Sequence, residues 1–231
     1  MFQGFTEETI RFFLDLRFHN EVSFYKAHED EFRAHVKEPF AQFVETMAPT
    51  MLSIAEDIET RPSRCVARIR RDTRFSRDKS PFRDHLWVLF RRGGESREGS
   101  VMYWFELSPE NMAWGLGFWG QNRPAMDALR RKMENKPQEV RRVLRQCGIP
   151  DQDLVLSGDR YQRMKPPPGM SLELAMLYPL KDLYVQRANI SFDTCYRSDL
   201  CDIVAKDYLR LKPLYHLLRA AADEGMAQLD A

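Results

Sequence analysis

The sequence lacks most of the marks by which an enzyme declares its chemistry. It has no G-x-S-x-G elbow and no Walker phosphate loop. Its four cysteines, Cys65, Cys147, Cys195 and Cys201, form no Cys-x-x-Cys pair, and a chain of 231 residues needs no disulfide staples, so a reducing compartment is expected. Long hydrophobic runs are missing too. The longest wholly apolar stretches, such as residues 86–90, are far too short to cross a bilayer, which excludes a spanning helix. The opening MFQGFTEETIRFF has no basic stretch followed by an apolar run, so no signal peptide is expected. These absences describe a soluble, cytoplasmic protein with no membrane partner.

Net charge is nearly absent as well, at +1, while 43% of residues are hydrophobic and 30% charged, as in ordinary globular chains. The balance is uneven along the sequence. RIRRDTRFSRDKSPFR, residues 68–83, holds seven basic residues against two acidic ones. That local excess of +5 leaves −4 for everything else, and a chain that coats nucleic acid usually spreads its positive charge over a face or tail.

Hydrophobic periodicity divides the rest. Residues 6–60 read as helical. Thr6 is a candidate cap for a helix with Ile10, Phe13 and Leu14 on one face, and Asn20 or Ser23 for the next. A third helix starts near Pro39 and carries Phe40, Phe43, Val44, Met47, Met51 and Ile54, with Pro49 expected to kink or split it. A sheet core is expected over 65–120. Residues 101–107 and 112–119 alternate as paired strands about a turn at 108–111, and 86–90 reads as a strand covered on both faces. On the second hairpin strand Ala113, Gly115 and Gly117 share a face with room for a close neighbour or a ligand. Helices follow over 123–147, opened by Asn122 and Pro124. Mixed structure over 153–190 includes strands near 154–156 and 183–190, joined through KPPPG. C-terminal helices over 198–223 are capped by Ser198 and restarted at Pro213. The expected fold is α+β: a single domain over 1–231, with an antiparallel sheet packed by N-terminal, middle and C-terminal helices.

Several motifs carry a plain structural explanation beside a functional one. GLGFWG, residues 115–120, fits G-x-G-x-x-G, yet it follows an antiparallel hairpin and holds bulky Phe118 and Trp119, so small residues under a packed helix explain it better than a dinucleotide loop. His28, Glu31 and His35 share a face of one expected helix, but zinc on a helix prefers histidines four apart, and a solvated face explains the run. His19, His85 and His216 have no evident partners. Cys65 lies beside basic residues, and a buried inert thiol is the commoner case. No metal and no cofactor are expected.

The basic stretch itself admits two readings. If residues 66–75 are extended, Arg68, Arg70, Asp72 and Arg74 point one way, and like charges at alternate positions repel unless an anion lies among them. SRDKSP, residues 76–81, reads as a turn. In one reading Asp72 and Asp78 form structural ion pairs with the flanking arginines. In the other, Arg68, Arg71, Arg74, Lys79 and Arg83 cradle a phosphate or carboxylate, with Asp72 or Asp78 orienting the guanidinium groups or acting as general acid or base.

RIRRDTRFSRDKSPFR resembles the signature R-I-x-R-D-x-R-F-S-x-D-K-S-P-[YF]-[KR] of the family known as domain of unknown function 2461. FQGFTEETIRFFLDLRFHN resembles the family's F-x-G-F opening, its following helix and its asparagine, and residues 158–169 resemble a stretch ending near Pro-x-Gly. The sequence departs from that pattern at Phe24-Tyr25, where Trp-Phe is frequent, at Phe82, where tyrosine is usual, and at Pro168 and Met170, where a lysine and an aromatic are typical. The resemblance implies one domain over nearly the whole chain and brings no activity, cofactor or substrate.

Three functions remain open at this level. The first is binding, with or without turnover, of a small anionic or phosphorylated ligand at the signature, with Gly115 and Gly117 as a floor. The second is a nucleic-acid module in which Tyr103, Trp104, Trp114 and Trp119 stack on bases beside the basic strand; Glu106 on the face of Trp104 argues against it. The third is a non-enzymatic interaction or scaffold protein in which the signature is a structural turn. Sequence leaves the oligomeric state open.

Overall fold

The structure, a computed structural model, describes residues 2–149 and 153–228. Its N-terminal third is helical: α1 (Glu7–Phe18), α2 (Val22–Ala27), α3 (Glu29–Phe32), a π turn at Arg33–Lys37, α4 (Glu38–Ile54) and the single turn α5 (Pro62–Cys65). Strands β1 (Leu86–Arg91), β2 (Val101–Leu107) and β3 (Met112–Phe118) follow, then α6 (Arg123–Asn135) and α7 (Pro137–Gln146). The remainder is β4 (Leu154–Ser157), α8 (Leu172–Leu177), β5 (Tyr184–Arg187), a 3-10 turn at Phe192–Tyr196, α9 (Leu200–Arg210) and α10 (Lys212–Ala227). The class is α+β, and the five strands make one antiparallel sheet in the order β1-β2-β3-β5-β4.

The backbone groups into two compact units. One comprises residues 1–90, 104–114 and 190–205; the other comprises 91–103, 115–189 and 206–231. In the first unit, the rings of Phe2, Phe5, Phe40, Phe43 and Phe105 form an aromatic core. Phe43 lies 4.5 Å from Phe105, and Phe5 stacks on Phe105 with 12° between planes. The F-x-G-F opening follows from this core. Phe2 and Phe5 are both buried, and Gly4 between them holds φ at +99° with the Tyr196 carbonyl where a side chain would begin. In the second unit Tyr103 is buried between Tyr208 and Tyr215, and its hydroxyl donates to the Tyr208 carbonyl at 3.1 Å. There α10 lies on the start of α6, where Gly225 lets the helices touch: a Cβ at that position would sit 2.5 Å from the Pro124 carbonyl carbon.

The hairpin β2–β3 lies where alternation and turn residues place it, closed by the Ser108 N–H on the Asn111 carbonyl at 2.8 Å. Other expectations are corrected. Pro49 does not split α4, which runs on through Ile54; Met47, Met51 and Ile54, on either side of the proline, are all buried and hold the two halves on one face. His28, Glu31 and His35 do not sit on one regular α-helix: α2 ends at Ala27, Glu31 lies in α3, and a π turn carries His35. Glu21, rather than Asn20 or Ser23, stands at the N-terminal boundary of α2, and its side chain makes no capping hydrogen bond. The room beside Gly117 is filled by Tyr184 at the start of β5 and by the carbonyl of Leu183 just before it, which leaves no ligand floor there. The next strand after GLGFWG, β4, is separated from β3 by β5, which runs antiparallel to both, so GLGFWG does not open the unit of adjacent parallel strands that a dinucleotide fold requires. No helix among the described residues is long and apolar enough to cross a membrane.

Candidate functional site

The signature folds as a narrow hairpin beside β1. Val66 pairs with Val88, and the Ala67 N–H donates to the Trp87 carbonyl at 2.9 Å. Arg70 then faces Phe82. The N–H of Arg71 reaches the Pro81 carbonyl and that of Arg83 the Ile69 carbonyl, each at 2.9 Å. Such a pair aims the N–H and C=O of Phe82 away from the hairpin. Both are taken by one side chain, the amide of Asn20: its Nδ2 donates to the Phe82 carbonyl at 3.1 Å and its Oδ1 accepts the Phe82 N–H at 3.0 Å. Asn20 thus substitutes for a neighbouring strand.

Regular pairing stops at Arg71, short of the expected Phe75, because two aspartates turn the chain. Asp72 Oδ1 accepts the Arg74 N–H at 3.2 Å, and Asp78 Oδ1 accepts the Ser80 N–H at 2.9 Å. The same carboxylates hold arginines. The Arg74 guanidinium forks onto Asp72 at 2.7 and 3.0 Å, and Arg71 is ion-paired with Asp78. Lys79 Nζ donates to the Thr73 carbonyl at 2.9 Å. Arg83 Nη1 bridges the carbonyls of Arg68 and Arg70, at 2.7 Å each, while its guanidinium lies 4.8 Å above the Trp87 ring. Tyr25 stacks on Phe82 at 4.5 Å, and the Arg70 guanidinium lies 5.1 Å from the Phe82 ring. Two of the departures from the family pattern, Tyr25 and Phe82, are therefore one contacting pair.

Two cavities flank this hairpin within the first unit. The polar one, of about 530 Å³, is lined by Arg71, Asp72, Asp78 and Arg83 from the signature and by Arg17, Asn20, Asp84 and His85 around it. Arg17, on α1, donates from Nε to Asp84 at 2.5 Å and from Nη2 to Glu110 at 2.9 Å. The second cavity, of about 520 Å³, is mainly apolar and is bordered by Arg68 and Arg70. The sequence-derived set is thus divided. Arg71, Arg83, Asp72 and Asp78 share the polar cavity, Arg68 lies at the other, and Arg74 and Lys79 line neither.

Electrostatics separate the acidic groups by role. Asp72 is held at about 2, chiefly by the Arg74 guanidinium. Asp78 is also held at about 2, chiefly by hydrogen bonding from Ser80, with Arg71 adding. Carboxyls that acidic are ionised and weakly basic at neutral pH, which suits them to orienting guanidinium groups rather than to moving protons. At Asp84 burial pushes the carboxyl up, but hydrogen bonds from His85 and Arg17 outweigh it and leave it lowered. His85 Nδ1 lies 2.9 Å from Asp84 Oδ1, and its Nε2 lies 4.0 Å from Glu106. His85 is the cavity residue that sequence reasoning left without partners; the only signal was its place directly after Asp84 at the end of the signature. Among the described residues no group of His, Cys, Asp and Glu could hold a metal ion.

The fold and the hairpin define an α+β protein built on a five-stranded antiparallel sheet with an arginine-aspartate loop. The family model described as Conserved hypothetical protein (DUF2461) matches residues 8–217, and the chain belongs to that family. No curated protein matches the chain.

Proposed function

We propose that the polar cavity binds a small anionic ligand, a phosphorylated compound or a carboxylate, with Arg71 as its main contact. The observation that supports this reading is the convergence of Arg71, Asp72, Asp78 and Arg83 on one cavity of about 530 Å³, with Arg71 paired to Asp78. That volume falls within the range of about 300–1,000 Å³ usual for small-molecule sites. An incoming anion exchanges with the exposed Asp78 carboxylate on Arg71, so Asp78 acts as an internal competitor. If the site also turns its ligand over, the proton carrier is His85, oriented by Asp84.

Thermal melting at matched ionic strength, in phosphate, sulfate, nucleotides, sugar phosphates, small carboxylates and short oligonucleotides, tests it. The expected result is a rise in Tm with one small-anion class, lost in Arg71→Ala and enlarged in Asp78→Asn. A shift that persists in Arg71→Ala, or no shift with any anion, overturns the reading.

A second reading, a structural network with no ligand, has its own support: Arg74, Lys79 and Arg83 each hold a partner within the hairpin. It expects Asp78→Asn to lower Tm with no ligand response. The nucleic-acid reading draws less from the fold, because Tyr103 and Trp114 are fully buried and present no face to a base.

A further inference from the structure

We infer that the second cavity is a site for a small anionic amphiphile, an acyl-type ligand with a single carboxylate or phosphate head. This goes beyond the polar cavity and does not depend on it. The floor of the second cavity is the extended segment and its neighbour: Val66, Ile69 and Leu86. Phe32, Ala41 and Pro62 supply apolar walls from the helices. The volume, about 520 Å³, suits one small ligand. An apolar interior of this size draws a hydrocarbon body out of water in proportion to the area it covers.

The rim selects the head group. Lys37, Arg68 and Arg70 border the cavity, and among the described residues no carboxylate pairs with any of the three. Their situation contrasts with that of Arg71, Arg74 and Arg17, each of which holds an acidic partner. The Arg70 guanidinium is already oriented by lying over Phe82 at 5.1 Å and near Tyr25 at 6.0 Å, which leaves its edge N–H groups for an acceptor. Tyr25 lines the same cavity, and burial pushes its hydroxyl pKa up, so that group stays a neutral donor. Three unmatched cations around an apolar interior complement one anionic head on one apolar tail.

A second copy of the chain fits the cavity poorly. A twofold contact sets a patch against itself, so it would bring Lys37, Arg68 and Arg70 against the same cations, with no lining carboxylate to answer them.

Isothermal titration calorimetry with decanoate, decyl phosphate, decan-1-ol and decyltrimethylammonium, all below their micelle concentrations, tests the assignment. Acetate and inorganic phosphate serve as heads without tails. Both decyl anions are expected to bind at least about tenfold tighter than decan-1-ol, the margin a charge-assisted hydrogen bond supplies. The decyl cation is expected to bind weakest. Which decyl anion is tighter names the head. The double variant Arg68→Gln/Arg70→Gln is expected to lose the anion preference and keep decan-1-ol binding. Ala41→Trp, which fills the cavity, is expected to abolish both; Ser63→Trp at the rim gives the same block should Ala41→Trp fail to fold.

Equal binding of the decyl alcohol or cation overturns the proposal. So do anion binding unchanged in the double variant, acetate or phosphate binding as tightly as its decyl form, and no decyl anion binding at all. Light scattering covers the remaining occupant: a dimer that dissociates on Ala41→Trp assigns the cavity to a second copy and equally overturns it. Arg71→Ala, which lies at the other cavity, is expected to leave decanoate binding unchanged, so failure here and failure of the polar site are read separately.

Discussion

Asn20 hydrogen bonds both backbone groups of Phe82, at 3.0 and 3.1 Å, across 62 residues of sequence. Phe82 is 1% exposed, so without that amide its N–H and C=O face the interior unmatched. Leaving a buried backbone group unsatisfied costs about 1–3 kcal/mol. Asn20→Ala is therefore expected to lower stability in urea by about 2–4 kcal/mol for the pair, a little below the simple sum because water can enter the truncated site. Asn20→Asp keeps the acceptor, loses the donor, and is expected to fall between. Equal stability of all three chains would show that the amide is not holding the hairpin.

The same reasoning applies to the opening of the chain. Gly4 combines a φ of +99° with a carbonyl of Tyr196 placed where a Cβ would stand. Either feature alone disfavours a side chain, and together they leave it no direction in which to relax. Gly4→Ala is expected to destabilise the protein by about 2–4 kcal/mol, read as a lower urea midpoint with unchanged slope. The neighbouring Gln3 is exposed, so Gln3→Ala is the matched control and is expected to change little.

The loop carboxylates give a prediction with a defined sign. Asp72 and Asp78 are both depressed to about 2 in the folded chain, below an unfolded value of about 3.9. A depressed carboxyl stabilises the fold above its unfolded pKa, and that contribution disappears as pH falls through the folded value. The loop's ion pairs are therefore expected to persist from neutral pH to about 4 and to be lost toward 2. Carbon-13 carboxyl titration by NMR checks this. In Arg74→Ala the Asp72 titration is expected to move up toward the ordinary range. For Asp78, Ser80→Ala is expected to act more strongly than Arg71→Ala, because hydrogen bonding from Ser80 is the leading cause. The reverse order would mean that charge rather than hydrogen bonding sets that carboxyl.

How much of this was legible in sequence depends on how local its cause is. The hairpin β2–β3 was readable because strand alternation and a four-residue turn are both short-range signals. The buried face of α4 was readable for the same reason, whereas α1 buries Thr9, Phe12, Phe13 and Leu16 and shares only Phe13 with the face expected from Ile10, Phe13 and Leu14. Asn20 read as a cap candidate and as part of the family resemblance, with no role at Phe82, because that partner is set by tertiary approach. The arginines of the signature read as one cluster, yet the hairpin sends Arg71 and Arg83 to one cavity and Arg68 and Arg70 to another. Alternation predicts that division only where the chain stays extended, and the two aspartate turns end the extension at Arg71. The small helix α8 was missed because six residues give too little periodicity to register. Strand β5 was placed with its C-terminal bound three residues too far: its ladder ends at Arg187, although the Ala188 N–H still donates to the Asp153 carbonyl at 2.8 Å, and Asn189 turns the chain with φ at +57°.

The four cysteines give the last prediction. All are buried thiols that take no part in a disulfide. Burial pushes Cys195 and Cys201 up to about 12, with nearby Asp193 and Asp202 adding, and raises Cys147 as well. Cys65, which its basic neighbours marked as a candidate for activation, instead donates its thiol to the Glu59 carbonyl at 3.1 Å. Reactivity requires both a thiolate and access; all four thiols are buried, and three of them are also pushed up by burial. Native protein at pH 7.5 is expected to show almost no thiol titratable by a disulfide reagent over minutes, and four per chain after unfolding in guanidinium. One fast thiol in the native chain, located by mass spectrometry at Cys65, would restore the activated reading for that residue and would require the α5 turn to open in solution. Slow labelling at all four with a common rate would instead report global unfolding, and that rate is expected to rise in Asn20→Ala and Gly4→Ala.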